Sequence, residues 1–119
     1  MDRLSGFATL KHNREFQFIY KRGKSAHSRT VVLFYLPQKG SQKVGFTASK
    51  KVGNAVTRNR CKRRLRALFS EYAPFLRDGS YVLVAKEPMN QATYDVLKRD
   101  CRHVLVRTGG MVDDKNISS

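Results

Sequence analysis

Residues 50–66 read KKVGNAVTRNRCKRRLR, a run with eight Lys or Arg and no acid. Gly53 and Asn54 interrupt any strand that precedes them, and either Asn54 or Thr57 can cap a helix that runs to about Tyr72, just before Pro74. At about 100° per residue, Cys61, Leu65, Leu68, Phe69 and Tyr72 fall on one arc of that helix. Asn59, Arg60, Lys62, Arg63, Arg64 and Arg66 occupy the remainder. One side of the helix is built to pack against a core, the other to meet negative charge.

Strand patterns flank this helix. Upstream, residues 30–36 (TVVLFYL) and 43–49 (KVGFTAS) are rich in β-branched and aromatic side chains and are separated by Pro37 and a polar stretch. They are expected to form an antiparallel hairpin. Downstream, Asp78 and Gly79 turn the chain into residues 80–85 (SYVLVA), a nearly continuous apolar run that predicts a strand covered on at least one face. Further out, Asn13 can cap a short helix carrying Phe16, Ile19 and Tyr20 before Gly23. A last helix over residues 90–106 places Tyr94, Leu97, Cys101, Val104 and Leu105 on one face, and the polar tail from about residue 108 should fray. Residues 1–10 carry no periodic signal. The order α-β-β-(β)-α-β-α, with the bracketed strand optional, predicts an α+β fold: one domain over residues 1–119, its core at about 8–106, with helices packed on a central, mainly antiparallel sheet.

Charge narrows the function. Lys and Arg number 24 against 9 Asp and Glu, a formal net charge of +15. Residues 16–70 hold fourteen cations and no acid, whereas residues 71–119 hold seven of each sign. So concentrated a field points to a polyanionic partner rather than to general solubility. No stretch approaches the ~20 apolar residues of a membrane span. The N-terminus lacks the apolar segment of a secretory signal, so a cytoplasmic protein without membrane association is expected. Cys61 and Cys101 lie far apart without CxxC spacing, each in an apolar helical stripe, which predicts buried free thiols.

The run at 50–66, with Arg58-Asn59-Arg60 at its centre, resembles the signature of the bacterial ribonuclease P protein family. The resemblance also takes in the segment LKHNREFQFIYKRGKS and the order of elements, over roughly residues 8–106. It implies the fold of the second domain of ribosomal protein S5, with a left-handed β-α-β crossover around the basic helix. Connections of this kind are ordinarily right-handed, so the pattern alone would not suggest it. It also implies that Lys50, Lys51, Asn54, Arg58, Asn59, Arg60, Lys62, Arg63 and Arg66 face a catalytic RNA. A cleft between the first helix and the sheet would take the single-stranded 5′ leader of precursor tRNA, on Phe16, Tyr20 and Phe34. Stacking on a ring tolerates any base, which suits a subunit serving many precursors. Phe16 and Tyr20, at i and i+4, would look the same if they packed into the core. Phe18 and Tyr35 are the alternates, because a one-residue slip of register exchanges faces.

No catalytic or metal-binding set of side chains is expected. No acid lies between Glu15 and Glu71, and His12, His27 and His103 fall in separate elements. Only Glu87, Asp95 and Asp100 converging beside the basic helix would suggest a nuclease acting alone. The resemblance implies instead that the RNA subunit holds the Mg²⁺ ions and the active site, with no obligate protein partner. A small basic ribosomal RNA-binding protein is the alternative consistent with size and charge.

Overall fold

The computed structural model describes residues 6–112. Its elements, in chain order, are β1 (Ala8–Thr9), α1 (Asn13–Arg22), β2 (Lys24–His27), β3 (Val31–Pro37), β4 (Gln42–Ala48), α2 (Ala55–Tyr72), β5 (Gly79–Ala85) and α3 (Tyr94–Thr108). Short 3-10 turns at Lys50–Val52, Ala73–Phe75 and Glu87–Gln91 connect them.

The five strands form one sheet in the order β1-β4-β5-β3-β2. β2–β3 and β3–β5 pair antiparallel, while β1–β4 and β4–β5 pair parallel. The expected hairpin between the strands at 30–36 and 43–49 does not form, because β5 lies between them. The apolar run SYVLVA explains the insertion. Tyr81, Val82 and Leu83 are buried on alternating faces, and only a central strand covered on both sides can satisfy them. β4-α2-β5 is therefore a crossover between parallel neighbours, with the basic helix as its connection.

Alternation along the strands sorts the core into two layers. Val31, Leu33, Tyr35, Val44, Tyr81 and Leu83 face α2 and α3, which bury Cys61, Leu65, Leu68 and Phe69 and Leu97, Cys101, Val104 and Leu105 against them. The opposite face is covered by α1, whose Ile19 meets Leu10 and Val82, with Phe16, Tyr20, Phe34, Leu36 and Val84 partly buried around them. Phe7 joins the first layer edge-on to Phe69 and Tyr81, at 5.2 and 5.6 Å between centroids. A short N-terminal strand and a core residue thus sit where the sequence carries no periodicity.

Several local expectations are corrected. His12, not Asn13, is the N-cap of α1, and the Glu15 carboxylate accepts from the backbone N–H groups of His12 and Lys11 at 3.0 and 3.2 Å. These bonds, led by that from His12, hold the Glu15 carboxyl below its ordinary range. β1 and β2 are additional strands, neither at the position left open between the hairpin and α2. α3 begins at Tyr94 rather than near Asn90, with the Thr93 hydroxyl accepting from the N–H of Val96 at 3.3 Å, since Pro88 starts a 3-10 turn instead. Gly109 closes α3 with a left-handed C-cap, and the N–H of Met111 donates to the Leu105 carbonyl. The rest of the expected frayed tail, residues 113–119, lies outside the described residues.

Candidate nucleic-acid interface

Asn54 caps α2 as expected, its Oδ1 accepting from the N–H of Thr57 at 3.0 Å. Its side chain thus starts the helix. The preceding 3-10 turn exposes Lys50 and Lys51 beside a depression shared with Lys86. Asn90 ties this turn down, donating from Nδ2 to the Val52 carbonyl at 2.8 Å. Burial pushes the neighbouring Cys61 thiol up, and Cys61 and Cys101 are both buried free thiols.

The polar arc of α2 divides into two flanks with different tasks. Asn59, Lys62, Arg63 and Arg66 line one groove of about 360 Å³ together with Thr9, Leu10, Phe16 and Phe46. Arg58 and Arg64 turn toward the protein instead. Arg58 donates to the Ala48 carbonyl at 3.1 Å, and its Nε is buried without a hydrogen-bond partner. Arg64 donates to the carbonyls of Met89 and Ala92 at 3.1 and 2.9 Å, bracing the approach to α3. Arg60 is exposed and, by helical spacing, lies on the Arg64 side rather than in the groove.

The expected aromatic set is also brought together. Tyr20 meets Phe34 edge-on at 4.8 Å between centroids, and Phe16 lies 6.4 Å from Tyr20. All three are half-buried, so each ring is held while part of it stays accessible. Burial raises the Tyr20 phenol above its usual range, which keeps it neutral. The Phe16 ring lies directly over Gly45, where a Cβ would come within 2.5 Å of it. Of the alternates, Tyr35 is buried in the other layer, stacked on Tyr81 at 4.5 Å. Phe18 is 50% exposed on the far flank of α1.

Phe16 belongs both to the aromatic cluster and to the groove bounded by α2. The surface therefore passes from aromatic rings to cations without a break, a combination suited to single-stranded nucleic acid. Sequence reasoning missed Phe46 and Thr9. Strand alternation could have offered Phe46, but nothing in residues 1–10 marked Thr9. Among the described residues, no three His, Cys, Asp or Glu side chains gather into a metal site. Asp100 is buried, accepting from the Thr30 hydroxyl at 2.7 Å, and does not gather with Glu87 and Asp95 into such a group. No helix among the described residues is long and apolar enough to cross a membrane.

Comparison with known proteins identifies the family. The family model described as ribonuclease P matches residues 4–109. The ribonuclease P protein component of Nitratiruptor sp. is 47% identical over 104 residues, covering 87% of this chain and 94% of the relative. That of Staphylococcus carnosus is 39% identical over 98 residues, covering 81% and 85%. Among solved structures, the Staphylococcus aureus RNase P protein superposes with a TM-score of 0.77 at 30% identity, covering 87% of this chain and 96% of that one. The Thermotoga maritima RNase P protein shares the fold, with a TM-score of 0.74 at 22% identity over 86% of this chain and 98% of that one. With a family match spanning nearly all of the described residues, the chain belongs to the bacterial ribonuclease P protein family.

Proposed function

We propose that this chain is the protein subunit of a ribonuclease P holoenzyme that removes the 5′ leader from precursor tRNA in the cytoplasm. The groove face of α2 (Asn59, Lys62, Arg63 and Arg66), together with Lys50, Lys51 and Arg60, binds the catalytic RNA. The aromatic cluster of Phe16, Tyr20 and Phe34 receives the leader. The observation that carries this reading is the shared groove, in which Phe16 and the α2 cations line one continuous surface. A strand stacked on the rings is thereby delivered to the helix that grips RNA.

The division of labour follows from the donor set. Mg²⁺ prefers oxygen ligands in octahedral geometry. Phosphate oxygens of an RNA supply such ligands, and the Mg²⁺ ions are assigned to the RNA subunit. The protein's contribution is charge neutralisation and positioning. Each phosphate contact releases counterions and steepens the salt dependence by about 0.7 to 0.9 in log–log slope. Each base stacked on an aromatic ring adds about 1 to 3 kcal/mol without selecting a sequence.

The test is leader cleavage of a precursor tRNA at low Mg²⁺ by protein alone, bacterial ribonuclease P RNA alone, and the two together. Enhancement in the mixture alone is expected. Cleavage by protein alone would demand an active site on the protein. No enhancement by folded protein would favour a ribosomal RNA-binding role.

A further inference from the structure

α1 has two flanks. Around Ile19, which points into the sheet, Phe16 and Tyr20 lie to one side and Arg14 and Phe18 to the other. The second flank borders a separate pocket of about 420 Å³, lined by Leu10, Ile19 and Leu36, by Arg14, Glu15 and Phe18 on the helix, and by Gln38, Lys43 and Ser80 where β3 ends and β4 and β5 begin. Its volume lies within the range of small-ligand sites. Phe18 stands beside it, 50% exposed, with the Arg22 guanidinium 5.6 Å from its centroid.

We propose that this pocket takes an unpaired nucleotide, its base against Phe18 and its phosphate between Arg14 and Lys43; the inference rests on the reading of the chain as an RNA-binding subunit. An apolar floor bordered by cations matches a nucleotide, which joins a flat apolar face to an anionic phosphate. Ser80 is buried and donates to Gln38 Oε1 at 3.3 Å, leaving the Gln38 amide N–H groups for a base edge. The acid at the rim, Glu15, is engaged by the backbone N–H groups of Lys11 and His12 and by Lys43 at 3.6 Å. The pocket shares α1 and Leu10 with the aromatic groove, so one RNA chain could pass from one flank to the other.

Two sources could supply the nucleotide, the 5′ leader or the catalytic RNA, and a single experiment separates them. Phe18→Ala and Phe18→Leu are compared with Tyr20→Ala in binding to ribonuclease P RNA alone and, in the holoenzyme, to precursor tRNAs with leaders of graded length. Both Phe18 variants are expected to weaken binding by roughly 5- to 150-fold, the range of one base–aromatic stack. Leucine keeps the apolar volume but has no ring face. A loss that grows with leader length assigns the leader, and a loss on the RNA alone assigns the catalytic RNA. Wild-type binding by Phe18→Leu, or by both variants on every ligand, overturns the proposal. If Tyr20→Ala changes nothing while the Phe18 variants weaken RNA binding, the leader cleft fails and the pocket stands.

Discussion

Arg58 donates from its guanidinium to the carbonyl oxygen of Ala48 at 3.1 Å, so the first arginine of the Arg-Asn-Arg core fastens the start of α2 to the end of β4. A charged donor serving a partly buried carbonyl is worth about 1.5 to 3 kcal/mol, and its loss leaves the acceptor unpaired. Arg58→Ala should therefore lower thermal stability by that order while leaving the salt slope of RNA binding nearly unchanged. A slope reduced by a full contact with unchanged stability would return Arg58 to the phosphate-binding set.

The groove residues should behave in the opposite way. Lys62→Ala and Arg63→Ala remove cations from the surface that holds Phe16, and each should flatten the log–log salt slope of RNA binding by about 0.7 to 0.9. Stability should stay within about 0.5 kcal/mol, as for surface substitutions generally. Titrations at several salt concentrations measure both variants, and unchanged slopes would remove this flank of α2 from the interface.

Gly45 offers a test of the leader cleft that leaves every aromatic in place. A Cβ at this position would lie 2.5 Å from Phe16 Cε1 and 3.0 Å from Leu10 Cδ1, so Gly45→Ala must displace the ring. Overpacking of this kind costs about 1 to 3 kcal/mol. The variant should lose affinity for leader-bearing precursor more than for mature tRNA. Equal losses on the two ligands would mean that the Phe16 ring only packs.

Burial, reinforced by the adjacent Asp100 carboxylate, pushes the Cys101 thiol up to about 12 from an ordinary value near 9. Between those values the unfolded chain has released the proton and the native chain still holds it. Unfolding is then favoured as pH rises. The thiol's contribution is fully present below about pH 9 and is lost progressively toward pH 12. Urea unfolding from pH 8 to 11 should show a shallower fall in stability for Cys101→Ala than for the wild type; parallel curves would exclude the thiol.

α2 was legible in the sequence because its evidence is local: the Asn54 cap, the apolar arc and the uninterrupted cations all lie within one helix. The sheet was less so. β3 and β4 are neighbours in the chain but not in space, and the insertion of β5 between them depends on contacts more than forty residues away. Strand alternation put Phe34 and Tyr35 on opposite faces, yet only the position of α1 shows which face is the open one. Arg58 could not be told from a phosphate contact, since the donors that grip a phosphate serve a backbone carbonyl equally well.

The central place of β5 also bears on how the protein is made. Both inner neighbours of this strand, β3 and β4, leave the ribosome before it does, and neither pairs with the other. The nascent sheet therefore has no middle until residue 85 has been synthesised, and translation of the whole basic helix precedes its platform. During that interval the densest stretch of positive charge in the chain is tethered to a ribosome made largely of RNA, without the fold that will later orient it. Completion of the last strand is thus the step that joins β3 to β4 and gives the basic helix a continuous sheet to lie on.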